Sequence, residues 1–173
     1  MLVLKKISKF IDTINEKIGI CVSWLATFMV CVVFYDTILR YAFQKGSIAM
    51  QELEWHLFSI VFLIGAAYTL KHDGHVRVDI IYTRLGSKAK AWINLIGTFF
   101  FLIPFSLLII FSTEMFVMNS WGIKEISPNP GGLPARYIIK AMIPLGFFFL
   151  MLQGISQAIK NFFVIIDKYQ GEQ

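Results

Sequence analysis

The side chains that could do chemistry are few in this chain. They are three histidines (His56, His72 and His75), two cysteines (Cys21 and Cys31), and carboxylates at Glu52, Glu54, Asp73, Asp79, Glu114 and Glu125. His72 and His75 beside Asp73 and Asp79 are metal-ligand types, but they fall in a short polar connection and read as solvated loop residues. A b-type haem needs two axial ligands facing each other within the bilayer, and His56 is the single histidine inside an apolar run. Ten positions separate Cys21 from Cys31, roughly 15 Å along a helix, whereas a disulfide needs Cα atoms within about 7 Å. No Walker A sequence, H-E-x-x-H or G-x-S-x-G occurs, and no cysteine cluster has ligand spacing. The chain therefore reads as no enzyme and as carrying no cofactor.

These groups are held at the ends of apolar runs. From Trp55 to Leu70 the chain is apolar but for His56, with a small-residue step at Gly65, Ala66 and Ala67, and polar residues close it abruptly at both ends. Such a stretch is too apolar for a surface helix and reads as a membrane span. Composition agrees: 57% of residues are hydrophobic and only 16% charged, where a soluble domain carries about a quarter. The mean hydropathy is +0.66. The expected fold is all-α, a polytopic membrane protein forming one domain over 1–173. Its four transmembrane helices are expected at about 18–41, 53–71, 90–114 and 137–166. An N-terminal amphipathic interfacial helix precedes them, with Leu4, Ile7, Ile11, Ile14 and Ile18 on one side and Lys5, Lys6, Lys9, Asp12 and Glu16 on the others. A cleaved signal peptide is the competing reading, disfavoured because the run from Ile18 to Tyr35 is long and no small-x-small site follows it.

Within this frame Asp36 and Arg40, four apart, form a charge pair at a span end. A sharper alternative has Arg40 reaching Glu52 or Glu54 across the hairpin. His75 to Ile80 alternates with a period of two, yet Val78, Ile81 and Leu85 suit a helix face, so a loop and a short interfacial helix are expected there. Pro104 marks a kink in the third span. The connection from Trp121 to Arg136, rich in proline and glycine, is a fixed loop built to present a surface. Gln153 and Gln157 share a face of the fourth span, where glutamines most often hydrogen-bond between helices.

Eleven of the sixteen lysines and arginines lie on the N-terminal side of the membrane, which by the positive-inside rule puts both termini in the cytoplasm. The net charge of +5 thus reflects topology; the basic residues form no aromatic-interleaved stripe for nucleic acid. A group that carries an ion through the bilayer is usually ionisable and faces the bundle interior, although placing it there costs about 2.5–3.5 kcal/mol. Around the span centres, near Phe28, Phe62, Pro104 and Phe149, there is none. The chain reads as an accessory subunit.

Glu52-Leu53-Glu54-Trp55, then Gly65-Ala66-Ala67 with His75-Val76-Arg77-Val78-Asp79, then Glu125-x-Ser127 leading to Gly131-Gly132-Leu133-Pro134 follow one another in an order set against the four spans. In this the sequence resembles the DctQ-type small membrane subunit of tripartite ATP-independent periplasmic (TRAP) transporters, over most of the chain. The resemblance implies a four-helix scaffold in the bacterial inner membrane. Its partners would be a large permease subunit, a periplasmic substrate-binding protein and membrane lipid, in sodium-coupled transport of an organic acid. The Glu52-Leu53-Glu54-Trp55 version resembles members serving monocarboxylates or keto acids. Gln51-Glu52 stands where many members have two adjacent carboxylates, so a partner contact there would be weaker or moved to Glu54.

Candidate partner-contact residues are Glu52, Glu54, Glu125 and Arg136, since charges on a rigid loop give register to a repeated docking event. Gly65 and Ala66, with Gln153 and Gly154, are candidates for helix packing. Two rival readings are a small autonomous homo-oligomeric transporter, which should carry a buried carboxylate in an early helix, and the membrane anchor of a redox complex, which should pair in-span histidines.

Overall fold

A computed structural model describes residues 1–74 and 82–166. Every regular element among them is helical. Four helices are long and apolar enough to cross a membrane: α1 (Leu2–Ala42), α2 (Ile48–Lys71), α3 (Ser87–Gly122) and α4 (Arg136–Ile165). The motif from His75 to Asp79, and most of the short interfacial helix expected after it, lie outside the described residues.

The C-terminal helix is the hub. α4 packs against α1, α2 and α3, and α1 and α2 also pack on each other, whereas α3 rests chiefly on α4. Close approach at these contacts depends on glycine. A Cβ at Gly146 of α4 would stand 2.7 Å from the Leu63 carbonyl oxygen of α2, and Gly19 of α1 lies directly beneath the Tyr68 ring. Large side chains such as Phe62, Phe100, Phe101 and Phe111 point outward, as expected where lipid is as apolar as the protein interior and burial brings no hydrophobic gain.

The N-terminal segment is one with the first span. At 41 residues, α1 is about 60 Å long, twice the ~30 Å hydrocarbon core. Its buried positions Ser8, Ile11, Asn15, Gly19 and Val22 recur at spacings of three and four, so the helix runs on because its partner α4 does. The apolar stripe of the expected interfacial helix is divided: Leu4 and Ile7 are exposed, Ile11 is buried and Ile14 and Ile18 are half-buried, while the polar Ser8 and Asn15 are buried.

At Pro104 the third helix answers with a π-helical stretch, Thr98–Leu102. A proline lacks the N–H of the regular ladder and its ring collides with the carbonyl four residues back. Widening the turn relieves the collision, and the N–H of Ile103 bonds to the Thr98 carbonyl five residues earlier. α4 accommodates this stretch with Gly154, where a Cβ would come 2.6 Å from Leu102 Cδ2.

Candidate functional site

The carboxylate of Glu52, near the start of α2, is the anchor for the whole 123–135 loop. Its Oε1 accepts hydrogen bonds from Ser127 Oγ and from Asn129 Nδ2 at 3.2 Å, and its Oε2 accepts the Leu133 backbone N–H at 2.7 Å. Arg136 Nη2 stands 3.9 Å from Oε1, with its guanidinium 5.7 Å from the Trp55 ring centroid. Only 4% of Glu52 is exposed. Backbone bonds close the loop on itself: Ser127 N–H to Leu133 O at 3.1 Å, Gly132 N–H to Asn129 O at 2.9 Å and Arg136 N–H to Glu125 O at 2.9 Å. Gly131 has φ +79°, the left-handed region that favours glycine. Gly132 answers a different need, since its Cβ would meet the Ser127 side chain, 2.5 Å from Ser127 Cβ, before Glu52 Oε2 at 2.7 Å.

Several of the remaining charges at this end of the bundle are also turned inward. Lys140 donates to Glu125 Oε2 and lies 4.1 Å over the Phe116 ring. That ammonium group holds the Glu125 carboxyl below the usual carboxylate range. Arg40 pairs with Asp36, with Glu54 adding a weaker attraction, so Arg40 does not bridge to Glu52. Asp36 is the buried carboxylate in an early helix that the autonomous-transporter reading asks for, fully buried and with Oδ1 unpartnered among the described residues, but it is paired with Arg40 near the end of α1 and lies outside the charge-free middle of the span. Glu54 is half-buried and makes no hydrogen bond among them. The loop exposes two large apolar side chains, Ile123 at 75% and Ile126 at 65%, beside the exposed Lys124 and Asn129.

A second polar network joins the other ends of α1, α2 and α4. Asn15 Nδ2 donates to Gln153 Oε1 at 2.7 Å, and Gln153 Nε2 donates to Asp12 Oδ1 at 3.1 Å. Ser156 Oγ donates to Asp12 Oδ1 at 2.7 Å, and Lys160 pairs with Asp12 Oδ2 at 2.5 Å. From α2, Lys71 reaches Glu16 at 2.5 Å and His72 Nε2 lies 2.9 Å from the same oxygen. Gln157 Nε2 caps the Leu70 carbonyl at 2.6 Å. Hydrogen bonds between membrane helices are worth about 1 kcal/mol each. Gln153→Ala removes two from a residue with no exposure, so a loss of about 2 kcal/mol is expected in the unfolding of detergent-solubilised protein. A midpoint unchanged from wild type would remove the network as a source of stability.

Three of the four partner-contact candidates thus meet at one place, since Glu52, Arg136 and, through its carbonyl, Glu125 frame the loop, with Trp55 beneath. Glu54 stays apart from them. A Cβ at Gly65 would meet only Val22 Cγ1, at an ordinary 3.5 Å, and with Ala66 this glycine lines an open groove of about 460 Å³ between α1 and α2. Sequence reasoning missed Ser8, Asp12, Asn15 and Ser156, and the close-packing Gly19 and Gly146. The signal for the first group was there: Gln153, Ser156, Gln157 and Lys160 fall at i, i+3, i+4 and i+7, a polar stripe that needs a polar partner.

Comparison with known proteins follows this geometry. A family model described as the DctQ component of tripartite ATP-independent periplasmic transporters matches residues 29–163. A putative TRAP transporter small permease protein of Haemophilus influenzae is 29% identical over 130 residues, covering 75% of this chain and 79% of that one. The ectoine TRAP transporter small permease protein TeaB of Halomonas elongata is 24% identical over 152 residues, covering 87% of this chain and 77% of its own.

Proposed function

Since this chain belongs to the DctQ component family of tripartite ATP-independent periplasmic transporters, matched over residues 29–163, we propose that it is a brace for a larger carrier and does not itself conduct. Membership makes it a component of a transporter in the inner membrane, crossing it several times, and not an enzyme. The bracing role rests on one observation. From Ile18 to Tyr35, from Leu57 to Leu70, from Ala91 to Thr113 and from Ala141 to Ile159 no Asp, Glu, His, Lys or Arg occurs. An ion or carboxylate crossing such a bundle would meet no group to replace its water. The charged groups gather instead at the two ends, where they lock helices and loop together.

On this reading a large permease subunit holds the substrate and sodium sites and moves against the rigid bundle. A periplasmic binding protein delivers an organic acid, of the monocarboxylate or keto-acid kind. Ectoine appears in the name of one relative at 24% identity and is not carried over. The excess of basic residues on the N-terminal side supports cytoplasmic termini and an outward-facing 123–135 loop. Glu125 and Arg136 are engaged within the loop, so reversing them would undo the loop itself; the docking contact is better sought at the exposed Ile126 and Lys124.

Uptake of labelled pyruvate into proteoliposomes tests both parts. Vesicles holding this chain, the large subunit and the binding protein are expected to accumulate the acid only with an inward sodium gradient, and vesicles holding this chain alone to accumulate none. Transport by the chain alone would overturn the bracing role. Ile126→Asp is expected to raise the half-saturating binding-protein concentration about tenfold at equal membrane abundance, the effect of one lost apolar anchor. An unchanged concentration would remove the loop from docking.

A further inference from the structure

One flank of α3 carries a charge at a depth where lipid offers it nothing. Trp92 and Trp121, both exposed, lie 29 positions apart on this helix, about 43 Å along its axis. A bilayer measures ~40–45 Å across its headgroups, and tryptophan gathers at both interfaces. The ~30 Å hydrocarbon core centred between the two rings then begins about 7 Å from Trp121. Glu114, seven positions before Trp121, stands about 3–4 Å inside it. Helical Cβ atoms lean toward the start of their helix, so this carboxylate is carried toward the bilayer middle and away from the nearer boundary. It is exposed and makes no hydrogen bond or ion pair among the described residues. Charges at such depth are costly, and proteins pair them or turn them inward.

The chain supplies no counter-charge of its own there. Lys140 is held by Glu125 and lies over Phe116, which at two positions on is about 200° round the helix from Glu114. The face of α3 that meets α4 holds the buried Ser106 and Ser120. On the flank of Glu114, Leu107, Phe111, Met118 and Trp121 are all exposed. With Glu114 they recur at spacings of four and three, the seam by which one helix packs lengthwise on another. α3 rests chiefly on α4, so this seam is left without a helix of the chain against it. What suits it is an apolar helix with one basic side chain at matching depth. A second copy of this chain suits it poorly, because a two-fold contact sets the same patch against itself and brings Glu114 toward Glu114.

We propose, building on the reading of this chain as a brace for a larger carrier, that the seam docks a transmembrane helix of that permease, with a lysine or arginine set against Glu114. Apolar side chains in lipid hold two helices together without fixing their register. A single ion pair among them sets both depth and rotation, as one polar residue in a helical seam does. α3, the helix least tied to the rest of the bundle, would then be held between α4 and the permease.

Energy transfer between the labelled chain and the labelled large subunit in liposomes, followed as lipid is added to dilute them, tests it. Glu114→Gln is expected to weaken association about thirtyfold, because the cation of the partner is left buried and unpaired, and Glu114→Lys to abolish it. Neither change should lower the thermal midpoint of this chain by itself, since Glu114 bonds to nothing within the described residues; that measurement separates lost docking from lost folding. A photo-crosslinking residue in place of Phe111 or Met118 is expected to capture the large subunit. A wild-type chain that does not associate with the large subunit would overturn the brace reading itself. With wild-type association intact, equal association of Glu114→Gln, a lowered midpoint of that variant alone, or capture at both seam positions of a second copy or of lipid only would overturn the seam.

Discussion

Gly146→Leu is expected to abolish the folded bundle, or to lower its stability by about 3 kcal/mol in detergent, at the upper end of overpacking costs. The Cβ alone would stand 2.7 Å from the Leu63 carbonyl oxygen and 2.9 Å from its carbon. Both are backbone atoms, so no rotamer change gives way and α2 must move off α4. In lipid that separation is not opposed by a hydrophobic effect, because helix association there depends on close van der Waals packing and on polar contacts. α4 is the helix on which the other three depend, so one displaced crossing loosens the whole. Gly146→Ala should show a graded version of the same loss. The contrast is Gly65→Leu, whose Cβ meets only Val22 Cγ1 at 3.5 Å beside an open groove; it is expected to fold and melt near wild type. Fluorescence-detected size exclusion and thermal midpoints check both. A Gly146→Leu protein as stable as wild type would mean that the α2–α4 crossing is not set by that contact.

The pair of glycines shows why some of the molecule was legible and some was not. Four spans follow from hydropathy, which is a property of each run by itself, and α1 to α4 appear where the apolar runs stand. Packing partners are not local. Gly65-Ala66-Ala67 looks like an interface because small residues cluster there, whereas Gly146 is a lone glycine among phenylalanines and leucines whose importance depends on where Leu63 crosses it. The same holds at the ends of the bundle. Asp12 and Glu16 fall on the polar side of an amphipathic pattern, a side that taken by itself points to water. In the fold it faces Gln153, Ser156 and Lys71, because near a membrane boundary lipid takes the apolar side and protein takes the polar one. Pro104 is readable as a disturbance, but the widened turn at Thr98–Leu102 that answers it carries no signal of its own in the sequence.

Glu52→Gln carries the same lesson to the loop end of the bundle, where it should release the 123–135 loop. Both oxygens of the carboxylate are acceptors: Oε1 takes Ser127 and Asn129, and Oε2 takes the Leu133 N–H. An amide has one acceptor oxygen and one donor nitrogen, so either placement sets a donor against a donor, and Arg136 loses its counter-charge at 3.9 Å. Losing one charge-assisted hydrogen bond is enough to raise local opening about tenfold. Tryptic cleavage after Arg136 in reconstituted protein should therefore quicken by about that factor or more. Gly132→Ala should do the same by a different route, since its Cβ would meet Glu52 Oε2 at 2.7 Å. Combined with Glu52→Gln it should add little, as expected of two changes that both displace the Ser127–Glu52 cluster. Glu54→Gln is the control, two residues away and without a hydrogen bond among the described residues; it is expected to leave cleavage unchanged. Released loops should also lower uptake at limiting binding protein, because a docking surface that must first be ordered binds more weakly. Protease resistance equal to wild type in Glu52→Gln would show that the loop holds its shape without the carboxylate, and the anchor would have to be sought in its backbone bonds alone.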